Sequence, residues 1–271
     1  LKMEEILKSS YQDIPRFYTA IAEWIGCMLF CFLYRRKVSR VKFIFIALSA
    51  LALQISWLII TGNAPTIFWI PCMLVAIIFM FLFLLLIIDV PVSMTVYCCM
   101  KAFLTAEFMA SLEWQLEYFI HGGDRGATFA ELIMLPIIYG GTAGILWVIE
   151  AKMKWEKVDP DINWKELAST FLIVLSAFTL SNLSFIYRNT PFSGTIVGDI
   201  FNIRTLVDFA GLAILYAYQS LRYEINAEKE LSKIQSMLTA QYDSYRNYQE
   251  VTDLINMKYH DLKHQIAGLR A

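Results

Sequence analysis

Residues 67–88 read IFWIPCMLVAIIFMFLFLLLII, a run without a single charged side chain. The hydrocarbon core of a bilayer is about 30 Å thick, so a helix needs about 20 mostly apolar residues to cross it. The run meets this requirement and predicts a transmembrane helix. The whole chain has the same character, because 58% of its residues are hydrophobic, only 17% are charged, and its mean hydropathy is +0.51. Such values exclude an ordinary soluble domain.

The same length rule selects further segments on both sides of this run. The predicted spans are 16–34, 42–61, 67–88, 94–119, 128–149, 166–187 and 200–221. Stretches rich in Gly, Pro, Asn and Asp, which form turns, separate them. The sequence therefore predicts an all-α fold: a polytopic membrane helix bundle of about seven spans in residues 1–221, followed by a cytoplasmic helix in residues 222–271.

The orientation follows from the short loops that hold lysine and arginine, since these residues favour the cytoplasmic side. The two basic loops hold Arg35, Arg36, Lys37, Arg40 and Lys42 after the first span, and Lys152, Lys154, Lys157 and Lys165 after the fifth. We therefore expect a multi-pass protein of the cell (plasma) membrane with its N-terminus outside and its C-terminus in the cytoplasm. The net charge of −1 does not suggest a nucleic-acid partner.

The cysteines predict neither disulfides nor a metal site. All five of them fall inside apolar runs, where cysteine behaves as a small hydrophobic residue away from oxidising conditions.

The C-terminal segment has the pattern of a coiled coil. Mainly apolar and aromatic residues alternate at spacings of three and four from residue 231 to residue 269. This seam consists of Leu231, Ile234, Leu238, Gln241, Tyr245, Tyr248, Thr252, Ile255, Tyr259, Leu262, Ile266 and Leu269. Such a seam predicts a homodimer through residues 231–269. Alternatively, the helix packs on cytoplasmic loops of its own chain.

Between Tyr218 and Leu231 the seam changes phase. Extended backwards, it places Glu224 at a core position, whereas Leu221 and Ile225 lie one step away. A phase change at the membrane exit is a place where a rotation of the last span is passed to the stalk, and we state this as a hypothesis.

The run Tyr259-His-Asp-Leu-Lys-His-Gln-Ile266 carries candidate chemistry. His260 lies next to a seam position and is predicted to face solvent, with Asp261 as its neighbour. Phosphoryl transfer to histidine needs an exposed ring with an unprotonated nitrogen and a carboxylate to hold the other nitrogen. Two alternatives stay open: a solvated helix face that happens to hold two histidines, and a metal ion shared by His260 and His264.

This run resembles the phosphoacceptor box of membrane sensor histidine kinases of Gram-positive bacteria whose ATP-binding domain is of the GHKL type. The several spans followed by a dimerising helix resemble the peptide-pheromone, or quorum-sensing, receptor kinases of that group. The resemblance implies that His260 is the phosphoacceptor and Asp261 its assisting acid. It also implies that the phosphate passes to a response regulator in a two-component system.

The sequence departs from that family after the box. Such kinases continue with a second dimerisation helix and an ATP-binding domain with an Asn-rich box and glycine motifs, and none of these precedes Ala271. We therefore expect no cofactor in this chain, with ATP and Mg implied for a separate catalytic domain. The chain is expected to be a piece of a sensor kinase or a remnant phosphorylated in trans, so whether it is itself an enzyme stays open.

The fourth span holds the candidate ligand site. Ionisable residues inside spans are costly and are functional candidates by default. The candidate residues are Glu107, Glu113, Trp114, Glu117 and Tyr118. Glu113 and Glu117 share a helix face in the predicted extracellular half, which indicates an acidic, aromatic-lined pocket for a cationic or amphipathic ligand such as a peptide. In the alternative, Glu117 reaches the outer interface and Glu113 pairs with a neighbouring span.

A rival function belongs to another class: a small transporter or membrane scaffold with an incidental coiled-coil tail. Transporters of this kind are built from internal repeats with paired discontinuous helices. The sequence shows no convincing repeat between its halves, although Pro71, Pro91 and Pro136 are able to break helices.

Overall fold

The computed structural model describes residues 14–62, 66–120, 128–155, 162–186 and 196–269. These residues form helices joined by turns, and none of them lies in a named strand, so the predicted all-α class is confirmed. The helices are α1 (Arg16–Leu33), α2 (Arg40–Thr61), α3 (Thr66–Ile87), α4 (Val92–Ile120), α5 (Thr128–Trp155), α6 (Trp164–Ser181), α7 (Leu183–Ile186) and α8 (Val197–Leu269).

Several of these helices are long and apolar enough to cross a membrane, as expected for a membrane protein. They are α1, α2, α3, α5 and a part of α8. The helices α4 and α6 do not reach the same apolarity, because α4 carries four ionisable residues and α6 begins with Lys165 and Glu166. The number of spans therefore stays a prediction.

Close backbone contacts bring these helices together. The most extensive contact joins α1 and α4, where a Cβ atom on Gly26 would lie 2.6 Å from the carbonyl oxygen of Ala102. A Cβ atom on Gly211 of α8 would lie 2.6 Å from the Cβ atom of Ala177 on α6. Glycine at both positions lets the helices approach to a distance that no larger residue permits.

The basic loop after α1 is attached to the end of α3. Backbone hydrogen bonds run from Lys37 N–H to the Ile87 carbonyl (2.9 Å) and from Asp89 N–H to the Arg35 carbonyl (2.8 Å). The Arg36 guanidinium lies 4.0 Å from the ring centre of Phe43, and its Nε donates to the carbonyl of Cys31 at 3.0 Å. Arg36 thus satisfies a carbonyl at the end of α1 and packs on the start of α2.

Several helix boundaries differ from the sequence prediction. The span predicted at 166–187 is interrupted after Ser181, where Asn182 leaves the helical conformation and both its backbone N–H and its side-chain Nδ2 donate to the Phe178 carbonyl, at 3.2 and 2.9 Å. A separate short turn, α7, follows. In contrast, the predicted span 200–221 and the stalk form one continuous helix, α8.

The chain divides into two compact units, residues 1–218 and 219–271. In the second unit the described large apolar side chains between Leu231 and Leu262 are exposed, including Leu238, Ile255 and Tyr259. A helix with this many exposed apolar residues is stable in water only when it packs on a partner.

Candidate functional site

Helix α4 holds most of the candidate residues. Among the described helices of residues 1–218, which we name the membrane unit, it has the largest share of buried residues. Its charged side chains lie in the interior: Lys101, Glu107, Glu113 and Glu117 are each at most 2% exposed. This burial explains why α4 lacks an apolar stripe. It is surrounded by other helices and therefore needs no lipid-facing surface.

Aromatic residues from four helices meet at the end of α4. We name these residues the aromatic cluster: Tyr18 of α1, Trp114 and Tyr118 of α4, Tyr139 of α5 and Phe201 of α8. The Trp114 ring lies edge-on to Tyr18 and Phe201, with ring centres 6.0 and 6.4 Å apart, and Tyr118 packs edge-on against Phe201 at 5.5 Å. The Tyr139 hydroxyl donates to the Tyr18 carbonyl at 3.2 Å. The cluster thus joins four helices at one end of the unit.

Glu113 and Glu117 lie at this same end of α4, and neither has exposed surface. Glu113 is close enough to Tyr139 to act on it electrostatically. Glu117 is fully buried, so its side chain does not reach the surface, contrary to what the alternative interpretation expected. The structure thus brings Glu113, Trp114 and Tyr118 together with aromatic groups of the neighbouring helices, and Glu117 is the neighbour of Tyr118 along α4.

Glu107 belongs to a different group of polar residues. Its Oε2 accepts a hydrogen bond from Arg204 Nη2 of α8 at 3.0 Å, and both side chains are buried. Asp208, one turn further along α8, lies beside Glu107, Arg204 and Ser111. Sequence reasoning missed Arg204, although a cation inside a predicted span is itself a signal that it needs a buried acidic partner.

A second buried ion pair joins α4 to α5. Lys101 binds Glu150, and both side chains are almost fully buried. The Lys101 Nζ also lies 4.6 Å from the ring centre of Tyr216 and 5.4 Å from that of Tyr97. The fifth span predicted from the sequence ends at residue 149, so the prediction did not include Glu150 as the partner of Lys101.

A third polar contact lies between α1 and α2. The Gln54 Nε2 donates to Glu23 Oε2, and both side chains are buried. Each ionic or polar pair thus ties two different helices together, which is how polar side chains commonly stabilise membrane bundles.

The predicted phosphoacceptor lies far along α8. His260 is exposed and lies within α8. The seam residues from Leu231 to Tyr259 are exposed in the single chain as well, so this exposure does not test the heptad phase. The side chains of Asp261 and His264 lie outside the described residues. Within the part of the chain that is described, no group of three His, Cys, Asp or Glu side chains is arranged to hold a metal ion.

No family model, no curated protein and no solved structure matches the chain. The fold therefore defines the class of protein by itself. This class is an all-helical protein with several helices long enough and apolar enough to cross a membrane, polar pairs between those helices, and a long exposed C-terminal helix.

Proposed function

We propose that this chain is the membrane receptor portion of a two-component sensor histidine kinase, of the quorum-sensing type. The observation that carries the proposal is the course of α8. This one helix begins beside the aromatic cluster at Phe201, contributes Arg204 and Asp208 to the buried polar group, and later presents the exposed His260. A helix with these two ends is suited to connect ligand binding to phosphorylation.

In this proposal the chain crosses the plasma membrane about seven times, with the N-terminus outside. The basic residues after α1 and α5 support this orientation, because lysine and arginine favour cytoplasmic loops. The end of α4 that carries Trp114 and Tyr118 then faces the exterior. This end is where an extracellular ligand would arrive.

The ligand is recognised by Glu113, Glu117 and the rings of Trp114 and Tyr118. Two carboxyl groups beside aromatic faces favour a cationic or amphipathic ligand, such as a peptide with a basic group. Because Glu113, Trp114 and Glu117 are buried, the ligand has to separate the helices of the aromatic cluster to reach them. Ligand binding therefore changes the packing of α8 at Phe201, and this supplies a physical link to the signal.

The stalk works as a homodimer through residues 231–269. The described seam residues, from Leu231 to Leu262, are exposed in the single chain, and pairing two copies buries them. His260 lies one position after the seam residue Tyr259, so dimerisation leaves the imidazole accessible to a kinase domain.

The chemistry at His260 is nucleophilic attack by an imidazole nitrogen on the γ-phosphorus of ATP, with ADP as the leaving group. Asp261 holds the other ring nitrogen and stabilises the positive charge on the ring. ATP and Mg²⁺ belong to a separate GHKL-type catalytic domain. The phosphoryl group then passes to an aspartate of a response regulator.

The test is phosphorylation in trans. The chain, reconstituted in lipid, is mixed with an isolated GHKL-type catalytic domain and ATP labelled at the γ-phosphate. We expect label at His260, loss of label in His260→Gln and retained label in the matched His264→Gln variant. The chain without the catalytic domain is expected to stay unlabelled. Label that survives in His260→Gln, or no label in any mixture, contradicts the proposal.

A further inference from the structure

A cavity of about 30 Å³ lies between α1, α2 and α3, away from the aromatic cluster. Glu23 and Gln54 provide its polar groups, and its other walls include Trp24, Leu53, Phe79 and Phe83. A cavity of this size accommodates one or two groups as large as a water molecule. The arrangement is therefore a small polar recess with apolar and aromatic walls.

The carboxyl group of Glu23 is only half satisfied within the described residues. Its Oε2 accepts the hydrogen bond from Gln54, whereas its Oε1 is buried without a hydrogen-bond partner. Arg16 and Glu107 act on this carboxyl electrostatically with opposite signs, and neither of them lines the cavity. A buried acceptor left in this way costs free energy, which a donor placed in the cavity recovers.

The cavity is partly open, and the exposed residue in its lining indicates that it reaches the surface of the bundle. Leu53 at its wall is 49% exposed, and Trp24 and Phe79 are half-buried. The three helices that form the cavity are all apolar enough to cross a membrane. A molecule that enters this opening therefore arrives from lipid, and its body has to be apolar.

We propose that this cavity binds the primary ammonium group of an apolar amine that enters from the bilayer. The amine enters uncharged and takes the proton of the Glu23 carboxyl group. An N–H of the resulting ammonium then donates to Oε1 of the Glu23 carboxylate, and the two opposite charges compensate each other. The rings of Trp24 and Phe79 contribute cation–π attraction, and the alkyl body extends past Leu53 into the lipid. A metal cation does not fit, because Ca²⁺ takes six to eight oxygen ligands and the described lining supplies too few.

This site is separate from the aromatic cluster and does not depend on the proposed kinase role. The proposed site distinguishes ligands that have the same eight-carbon chain but different polar head groups. Octylamine has the charge and the donors. Octanol has one donor and no charge, and octyltrimethylammonium has the charge but no N–H donor and a head too bulky for the cavity.

The experiment measures protection of Glu23 itself. The full chain in phospholipid nanodiscs is treated with dicyclohexylcarbodiimide, a lipid-soluble reagent that modifies protonated carboxyl groups, and modification of the peptide containing residue 23 is measured by mass spectrometry. We expect Glu23 to be modified, and octylamine to suppress this in a saturable way. Octanol and octyltrimethylammonium at the same bilayer concentration are expected to leave the modification unchanged. Because the readout is position-specific, it is independent of ligand binding at Glu113 and Glu117.

Variants provide a second measurement. Glu23→Gln is expected to weaken saturable binding of labelled octylamine about tenfold or more, because a charged hydrogen bond is lost. Leu53→Trp retains the carboxyl but blocks the opening, and it is also expected to weaken binding. Glu224→Gln, an exposed residue of the stalk, is the matched control with unchanged binding. The proposal is overturned if Glu23 is not modified, if octanol protects it as well as octylamine, or if binding is equal in Leu53→Trp and the wild type.

Discussion

Arg204 Nη2 of α8 lies 3.0 Å from Glu107 Oε2 of α4, and less than one tenth of the surface of each side chain is exposed. The two residues are 97 positions apart in the sequence, so this pair fixes the register between α4 and α8. Removing one member of a buried pair leaves an uncompensated charge, whereas removing both members is often tolerated.

We therefore predict that Arg204→Met lowers the stability of the membrane unit by about 3–5 kcal/mol, since Glu107 and the nearby Asp208 lose their cation. The double variant Glu107→Leu/Arg204→Met is expected to recover most of this loss. The measurement is thermal unfolding of the purified chain in one detergent, followed by near-UV circular dichroism. A single variant that is as stable as the double variant contradicts the pairing.

The glycine contacts give a prediction with an internal control. Alanine at Gly26 places a Cβ atom 2.6 Å from the Ala102 carbonyl oxygen, so α1 and α4 have to move apart. We expect Gly26→Ala to lower stability by about 1–3 kcal/mol through overpacking. At Gly140 of α5 an added Cβ meets nothing within 4 Å, so Gly140→Ala is expected to be neutral or slightly stabilising. Equal unfolding temperatures for the two variants contradict the close contact.

The positions of the long apolar helices could be predicted from the sequence, but the partners of the buried charges could not. The run at residues 67–88 predicts a membrane helix by its own composition, because a long apolar run has few stable alternatives. The pairing of Lys101 with Glu150 depends on how α4 and α5 rotate against each other, and no local pattern fixes this rotation. The same holds for Glu23 and Gln54, which are 31 positions apart.

The place of His260 beside the seam stays a prediction from the heptad phase, because the seam residue Tyr259 is exposed in the single chain as well. The aromatic cluster was only partly predictable from the sequence. Trp114 and Tyr118 were identified from their place beside Glu113 and Glu117, whereas Tyr18, Tyr139 and Phe201 come from other helices. These three residues come together only when the helices pack. The sequence pattern of α4 alone therefore predicts the residues that α4 contributes to the site, but not those of the neighbouring helices.

The candidate ligand site predicts a difference between two substitutions at Tyr118. If the ring contributes cation–π attraction, Tyr118→Phe retains most of the ligand response and Tyr118→Leu weakens it. Glu113→Gln and Glu117→Gln are expected to weaken the response as well, since each removes a negative charge and keeps the shape. The measurement is the ligand concentration that gives half-maximal phosphorylation of His260. Unchanged dose dependence in all four variants removes this site from the mechanism.

The stalk predicts dimerisation through one face only. Leu238 lies on the seam and is 59% exposed, whereas Leu254 lies off the seam and is 56% exposed. We expect Leu238→Asp to shift the purified chain from dimer to monomer, because a charge at a core position is not tolerated in a coiled coil. Leu254→Asp is the matched control and is expected to stay dimeric. Light scattering coupled to size-exclusion chromatography measures the molecular mass of both variants. An equal proportion of dimer in the two variants contradicts dimerisation through the seam.

The continuous course of α8 predicts how signal output depends on inserted residues near Ala227. One added residue rotates everything after it by about 100°, so the seam and His260 turn away from their former direction relative to the last span. We expect this insertion to fix phosphorylation of His260 at a constant level, whether high or low, that no longer responds to ligand. Seven added residues rotate the stalk by only about 20° from the starting phase, and this variant is expected to respond again. Phosphorylation of His260 by an added catalytic domain, with and without ligand, measures the output across the insertion series. A response that is the same after one and seven inserted residues shows that the signal does not travel as a rotation of α8.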